Sequence, residues 1–203
     1  QIAEGTHGLV PVGTTGESAT LSHDEHKQVV STCVEVAAKR VPVIAGAGSN
    51  NTEEAIDLAR YAQKAGADAI LVVTPYYNKP NQKGIFRHYE AIAKAVDVPI
   101  VVYNVPSRTG SNIAAGTIKR LSEVPNIVAV KEASGNMAQI NAILASVPSS
   151  FSVLSGDDLL TYPMMALGAK GVISVTSNVV PELMVQMTHA ALDGEWAKAR
   201  QLH

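Results

Sequence analysis

From residue 8 onward the sequence alternates short, β-branched apolar runs with longer amphipathic segments, which restricts the chain to repeated βα units around a parallel sheet. The spacing predicts strands at 8–12, 41–45, 69–74, 99–103, 127–131, 151–155 and 171–175. Helix starts lie between them. Ser22 with Glu25, and Asn51 with Glu54, have the spacing of a capping box, and Pro181-Glu182 suits a first helical turn. Ala65-Gly66 and Leu167-Gly168 mark helix ends that turn the chain into the next strand.

Seven such units, about 20 to 35 residues apart, predict an α/β fold of the (β/α)8 TIM barrel type, whose usual ~250 residues leave room for one strand ahead of the first. An open doubly wound sheet is the rival. Two features count against its dinucleotide-binding form: no strand is followed by G-x-G-x-x-G, and loops rich in Thr, Tyr, Asn and Ser follow nearly every strand rather than one switch point. Residues 1–5 read as the last turn of a helix stopped by Gly5, and the sequence closes at His203 within a helical pattern, so a longer natural chain is expected.

Composition narrows the function classes. At 203 residues, 46% hydrophobic and 17% charged, the chain suits one good-sized core. Its net charge of −2, with Lys and Arg spread along the whole length, offers no basic face to nucleic acid or an anionic membrane. The longest apolar runs, such as 69–73 and 100–102, are far short of a bilayer span, and no signal-peptide layout opens the sequence. Cys33, the single cysteine, excludes an intrachain disulfide and a multi-cysteine metal site and fits a reducing compartment, so a cytoplasmic location is expected. The six histidines fall on predicted helices or before a strand, away from the strand ends where a barrel would need metal ligands, and no Walker-type loop is present. No metal and no nucleotide or phosphorylated substrate are expected.

A barrel builds its site from strand C-termini and the loops after them. Of the ten lysines only Lys131 ends a predicted strand. Alternation along Ile127, Ala129 and Lys131 puts its amine on one face with two apolar residues, taken as the barrel interior, where desolvation lowers the pKa and frees a neutral amine to attack a carbonyl. By position alone, a strand-end lysine that snorkels to solvent is the better reading, and its neighbours shift the balance. Tyr103 ends a nearby strand, placed either to relay protons during imine formation or to plug the barrel top. Thr14 and Thr15, bracketed by glycines, offer hydroxyls and open N–H groups to a carboxylate, or form a plain turn.

Taken together, G-T-T-G-E at 13–17, T-P-Y-Y-N at 74–78, Y-N-V-P-S-R-T-G at 103–110, V-K-E-A-S-G at 130–135 and S-G-D-D at 155–158 resemble the dihydrodipicolinate synthase family. Its superfamily is that of the pyruvate-dependent class I aldolases, which also holds N-acetylneuraminate lyase and the sugar-acid aldolases. The resemblance runs along essentially the whole chain. It implies a partial barrel domain over 1–203, without the first strand and the helices that follow the barrel. It implies Lys131 as the Schiff-base lysine for pyruvate, with Thr14, Tyr103 and Tyr77 as a proton relay, Tyr77 reaching into a neighbouring subunit's site. Thr15 would hold the pyruvate carboxylate, Arg108 the carboxylate of L-aspartate 4-semialdehyde, and Gly156 and Ile173 would line the site. Arg108 separates the synthases from the lyases. The implied reaction, condensation of pyruvate with the semialdehyde to 4-hydroxy-tetrahydrodipicolinate, opens diaminopimelate and lysine synthesis and needs no cofactor. Another pyruvate aldolase, or a non-catalytic barrel that senses a keto acid, is the alternative.

The resemblance further implies a homo-oligomer built as a dimer of dimers, and inhibition by L-lysine at Ser18, Ala19, His23, His26, Asn50, Glu54 and Tyr76. The spacing makes independent sense of part of that set. His23 and His26 share one helical face, and Glu54 opens the next helix with a carboxylate for an ammonium group, although all three also suit ordinary first-turn roles. Tyr76 adjoins Tyr77, so a ligand ordering one tyrosine would disturb the other.

Overall fold

In the computed structural model, which describes residues 1–203, the βα series folds as α1 (His23–Ala37), β1 (Ile44–Gly46), α2 (Thr52–Ala65), β2 (Ala69–Val73), α3 (Gln82–Ala95) and β3 (Ile100–Asn104). It continues as α4 (Pro106–Thr109), α5 (Ala115–Leu121), β4 (Ile127–Glu132), α6 (Met137–Ser146), β5 (Ser152–Ser155), α7 (Thr161–Ala166), α8 (Pro181–Leu192) and α9 (Trp196–Leu202). The strands form one parallel sheet in sequence order, so every connection is a helical crossover. All strand C-termini therefore share one edge.

Period-2 alternation sorts the strand side chains into two apolar layers. Ile70, Val72, Ile100, Val102 and Val130 pack with helix residues such as Ile56, Ile85, Ile92 and Ile140. Leu71, Val101, Tyr103 and Ala129 form a separate inner cluster with Val105, flanked by Val10, Ile44, Val73 and Ile173. Each fully buried aliphatic side chain contributes about 1.5–3 kcal/mol, so the outer layer anchors the helices and leaves the inner face for the site.

The helix-start signals resolve differently. Ser22 accepts from the Glu25 N–H while the Glu25 carboxylate accepts from the Ser22 N–H, a complete capping box. Asn51 is a simple cap of α2, accepting from the Glu53 N–H, because the Glu54 carboxylate turns away to His23 and Ser49. Pro181 stands at the start of α8 as expected, and Gly66 ends α2 at φ 92°.

Of the seven expected strands, five form ladders. The segments at 8–12 and 171–175 each reduce to a single bridge, Leu9 with Val43 and Val172 with Ser155. Both flank the sheet with one neighbour only, and both leave extended backbone within a few residues, at Val12 (φ 49°) and at Thr176–Asn178, which is a 3-10 turn. The expected shared face of Ile127, Ala129 and Lys131 is also corrected. Pairing runs Ile100 with Ile127 but Val101 with Ala129, so Val128 is the extra residue of a bulge. Ile127 consequently joins the helix-facing layer while Ala129 stays inside.

Val12 is a β-branched residue in the left-handed region, a strained conformation. It persists because β1 passes directly beneath: a Cβ at Gly46 would meet the Val12 carbonyl oxygen, and its carbonyl carbon at 2.8 Å. Gly46→Ala is expected to lower stability by about 1–3 kcal/mol. Gly116→Ala, in open space at the start of α5, should instead gain up to about 1 kcal/mol. Urea midpoints with unchanged slopes check both.

Candidate active site

Strand register brings the two central residues together. Tyr103 on β3 pairs with Lys131 on β4, and the Lys131 Nζ lies 4.2 Å from the centre of the Tyr103 ring. Both are buried, Lys131 at 8% exposure and Tyr103 at 5%. The Tyr103 carbonyl accepts from the Thr74 N–H at 2.9 Å and the Thr74 hydroxyl at 2.8 Å, which holds the strand end in place.

Burial pushes the Lys131 amine down to about 8; Asp158 opposes that shift and Arg108 adds to it. Burial raises the Tyr103 phenol, against the Thr14 hydroxyl beside it and the Arg108 charge. Near neutral pH this lysine therefore keeps a usable neutral fraction while the tyrosine stays protonated. A partly neutral amine and a protonated phenol stand face to face.

The glycine at 156 makes room for that lysine. A Cβ there would lie 3.0 Å from both Cγ and Cε of Lys131 and 2.9 Å from the Ala133 methyl, while the Gly156 N–H donates to the Glu132 carbonyl. Ile173, whose N–H donates to the Ser155 carbonyl, packs on the inner cluster. Thr14 and Thr15 follow the strained Val12 and are exposed at the mouth. Arg108, exposed on α4, enters none of the four ion pairs, His23–Glu54, Arg87–Glu90, Lys94–Glu90 and Lys198–Glu195, so its guanidinium is free for an anion.

Tyr77 stands apart. It is 89% exposed at φ 69°, with no side-chain hydrogen bond, so it does not meet Lys131 within one chain.

The second expected cluster assembles in part. The His23 Nε2 lies 2.8 Å from the Glu54 carboxylate, which also accepts from the Ser49 hydroxyl; the His26 Nε2 bonds the Gly46 carbonyl at 2.8 Å. Burial lowers the His26 pKa. The Asn50 carbonyl accepts from Asn78, beside Tyr77, and Tyr76 is 37% exposed. Ser18 makes a backbone bond to Gly13, and Ala19 is exposed.

Three residues went unassigned by sequence reasoning. Burial would raise the Asp158 carboxyl, but the Ser174 hydroxyl in its surroundings and the Thr176 and Val175 N–H groups, both donating to its Oδ2 at 3.0 Å, together hold it below its ordinary value, as an anion whose charge acts on Lys131. Glu132 is fully buried beside Lys131, and Asn104 donates to it at 2.9 Å. Their signal was available: a charged and an amide residue closing two otherwise apolar strands. No group of three or more His, Cys, Asp or Glu is placed to hold a metal ion, and no helix is long and apolar enough to cross a membrane.

A parallel βα sheet with a desolvated lysine at a strand end, a tyrosine against it and a free guanidinium at the mouth defines the class, the barrels that condense carbonyl compounds through a lysine imine. The chain belongs to the dihydrodipicolinate synthetase family, whose model matches residues 1–203. It is 58% identical over 203 residues to the 4-hydroxy-tetrahydrodipicolinate synthase of Desulfotalea psychrophila, covering all of this chain and 68% of the relative. The dihydrodipicolinate synthase of Aquifex aeolicus superposes with a TM-score of 0.98 at 51% identity, over 100% of this chain and 69% of that one. The Acinetobacter baumannii synthase, solved in complex with pyruvate, gives 0.97 at 47% over 99% and 69%. That of Cyanidioschyzon merolae, with lysine bound, gives 0.96 at 43% over 100% and 69%. The TIM-barrel reading of the sequence holds, and the open doubly wound alternative is set aside.

The low Lys131 pKa carries a stability consequence. The folded state disfavours the ammonium, so the penalty is complete below about pH 8 and disappears as pH rises to the ordinary 10.5 of the unfolded chain. Lys131→Met should therefore gain up to about 3 kcal/mol at pH 7, narrowing towards zero near pH 10.5. Urea denaturation of both proteins across that range measures it.

Proposed function

We infer that the protein is a 4-hydroxy-tetrahydrodipicolinate synthase, a lyase that condenses pyruvate with L-aspartate 4-semialdehyde. The observation that carries the reading is the buried Lys131 amine, held down to about pH 8 over the Tyr103 ring. Free Lys131 attacks the keto carbon of pyruvate. Tyr103, backed by Thr14, donates the proton with which the carbinol oxygen leaves as water, and the imine forms. The Tyr103 phenolate left by that step takes a C3 proton to give the enamine, whose carbon attacks the semialdehyde's carbonyl carbon while Tyr103 returns the proton to the carbonyl oxygen as it becomes a hydroxyl. The semialdehyde amine then attacks the imine carbon, closes the ring and expels Lys131.

Thr15 holds the pyruvate carboxylate and Gly156 and Ile173 shape the pocket around the imine. Arg108 takes the carboxylate that only the second substrate brings; its lack of an internal ion-pair partner supports that role. Tyr77, exposed and strained, completes the relay in a neighbouring subunit of a homo-oligomer built as a dimer of dimers. A cytoplasmic location belongs to the same reading. The unpaired Arg108 favours the synthase over other pyruvate aldolases, and the paired Lys131 and Tyr103 favour an enzyme over a keto-acid sensor.

Borohydride added in the presence of pyruvate should fix one three-carbon adduct on Lys131, mapped by peptide mass. Trapping should strengthen with pH through about 8 as the amine is freed. Arg108→Ala should trap pyruvate normally yet lose about 100-fold in kcat/KM for the semialdehyde, the size expected when a charge-assisted bidentate contact is removed. An adduct elsewhere, or equal loss in both measurements, removes the assignment.

L-lysine inhibits from the cluster at His23, His26 and Glu54, with Ser18, Ala19, Asn50 and Tyr76 around it. The Glu54 carboxylate takes the ligand's ammonium, and the step from Tyr76 to Tyr77 connects it to the relay. Coupling requires lysine to bind the two relay states unequally, by about 1–3 kcal/mol. Millimolar L-lysine should lower the initial rate, and Glu54→Ala should abolish the effect; a rate indifferent to lysine, or a variant as sensitive as wild type, removes this site.

A further inference from the structure

Lys131 and Glu132 are consecutive on β4 and their side chains take opposite faces. Lys131 lies on the Tyr103 ring; Glu132, at 0% exposure, bonds the Ser134 N–H at 2.7 Å and the Asn104 Nδ2 at 2.9 Å. A carboxyl so deeply buried is costly unless its partners are fixed. One of them has a further task. Asn104 ends β3, in register with Glu132, and is itself 0% exposed. Its Nδ2 also donates to the Asn112 Oδ1 at 2.9 Å, and its Oδ1 accepts the Ile113 N–H at 3.0 Å. Asn112 is held in turn by Gln139 of α6, at 2.7 Å and 3.1 Å.

The path of the chain turns these bonds into a device. The segment that leaves β3 at Asn104 carries α4 with Arg108, reverses at Gly110 (φ 67°), and returns at Asn112 and Ile113 to the side chain of the residue from which it started. One amide thus joins the two ends of the loop, whose returning end Gln82 of α3 also holds through the Asn112 carbonyl at 2.8 Å and the Ala114 N–H at 3.0 Å. Glu132 sets the orientation of the Asn104 amide by accepting its N–H. Because Glu132 adjoins Lys131, the far end of the network is the backbone that carries the nucleophile. Arg108 and Lys131 sit on the two arms of one buried clamp.

We propose that Asn104 and Glu132 are positioning residues that hold the Arg108 turn at its working distance from Lys131, and so set recognition of the second substrate's carboxylate without taking part in imine formation. The inference rests on the reading of Arg108 given above. Neither residue touches substrate. Their effect is transmitted through Arg108, which makes it separable from a general structural role.

The test is a kinetic cycle on the purified enzyme with Asn104→Ala, Arg108→Ala and the double variant, with Glu132→Gln as a second route to the same network should Asn104→Ala fail to fold. Gln at 132 replaces one acceptor oxygen by a donor and must break one of the two bonds to Asn104 or Ser134. Asn104→Ala and Glu132→Gln should raise KM for L-aspartate 4-semialdehyde about 10- to 100-fold, the scale of a displaced binding group, while the pyruvate adduct trapped by borohydride stays at the wild-type level. In the Arg108→Ala background, Asn104→Ala should add less than about threefold. Additive losses, or equal loss of pyruvate trapping, would overturn the clamp. An Arg108→Ala variant with unchanged semialdehyde KM would instead overturn the reading of Arg108 itself.

Discussion

Removal of water from one amine is the condition on which the rest of the molecule depends. Lys131 is charged in water, and its ammonium meets little at the end of β4 to replace the lost hydration beyond the face of Tyr103 and the charge of Asp158. The folded chain lowers that cost by surrendering the proton, and the surrender is what makes a nucleophile. An isolated strand could not do this. The desolvation needs Tyr103 delivered in register from β3 and the path of the chain at Gly156 close enough to leave no room for a methyl group.

The inner layer is therefore asymmetric by construction. Leu71, Val101 and Ala129 supply the dry floor, and the polar groups begin two residues further along β3 and β4, at Tyr103 and Lys131 on the shared C-terminal edge. Parallel connection places all those edges together, so four separate βα units bring Thr14, Tyr103, Lys131 and Gly156 to one mouth although 142 positions separate the first from the last. Strain concentrates at the same edge: Val12 and Tyr77 both hold left-handed backbone, one beneath the threonine turn and the other at the exposed tyrosine. The buried amides and carboxyl behind the mouth, Asn104 with Glu132, add direction to what the apolar layer only dries.

Much of this was legible in residue order. The alternation of apolar runs with amphipathic segments gives the βα series, and a lysine closing the run at 127–131 is conspicuous because an ammonium has no packing reason to be there. Other readings failed for physical reasons. The capping-box spacing at Asn51 was real, but Glu54 found His23 and Ser49, partners more than a few residues away in one case, and local spacing cannot weigh such competition. The bulge at Val128 displaced Ile127 from the face that strict alternation assigned to it, since period 2 assumes an uninterrupted ladder. Asn104 and Glu132 were overlooked because a polar residue at a strand end reads as solvent-facing until its burial is known.

The sequence by itself determined the order of elements, the family and the candidate nucleophile, because hydrophobic period, turn chemistry and motif spacing are local properties that survive without a fold. Tertiary structure alone decided that the Lys131 amine is partly neutral near pH 7, that Arg108 has no internal carboxylate to occupy it, and that the Asn104 amide links the loop carrying Arg108 to the Glu132 carboxylate beside Lys131. Those are consequences of burial and of register between segments distant in sequence. Desolvation and hydrogen-bond closure depend on which groups become neighbours, and only the packed chain makes them so.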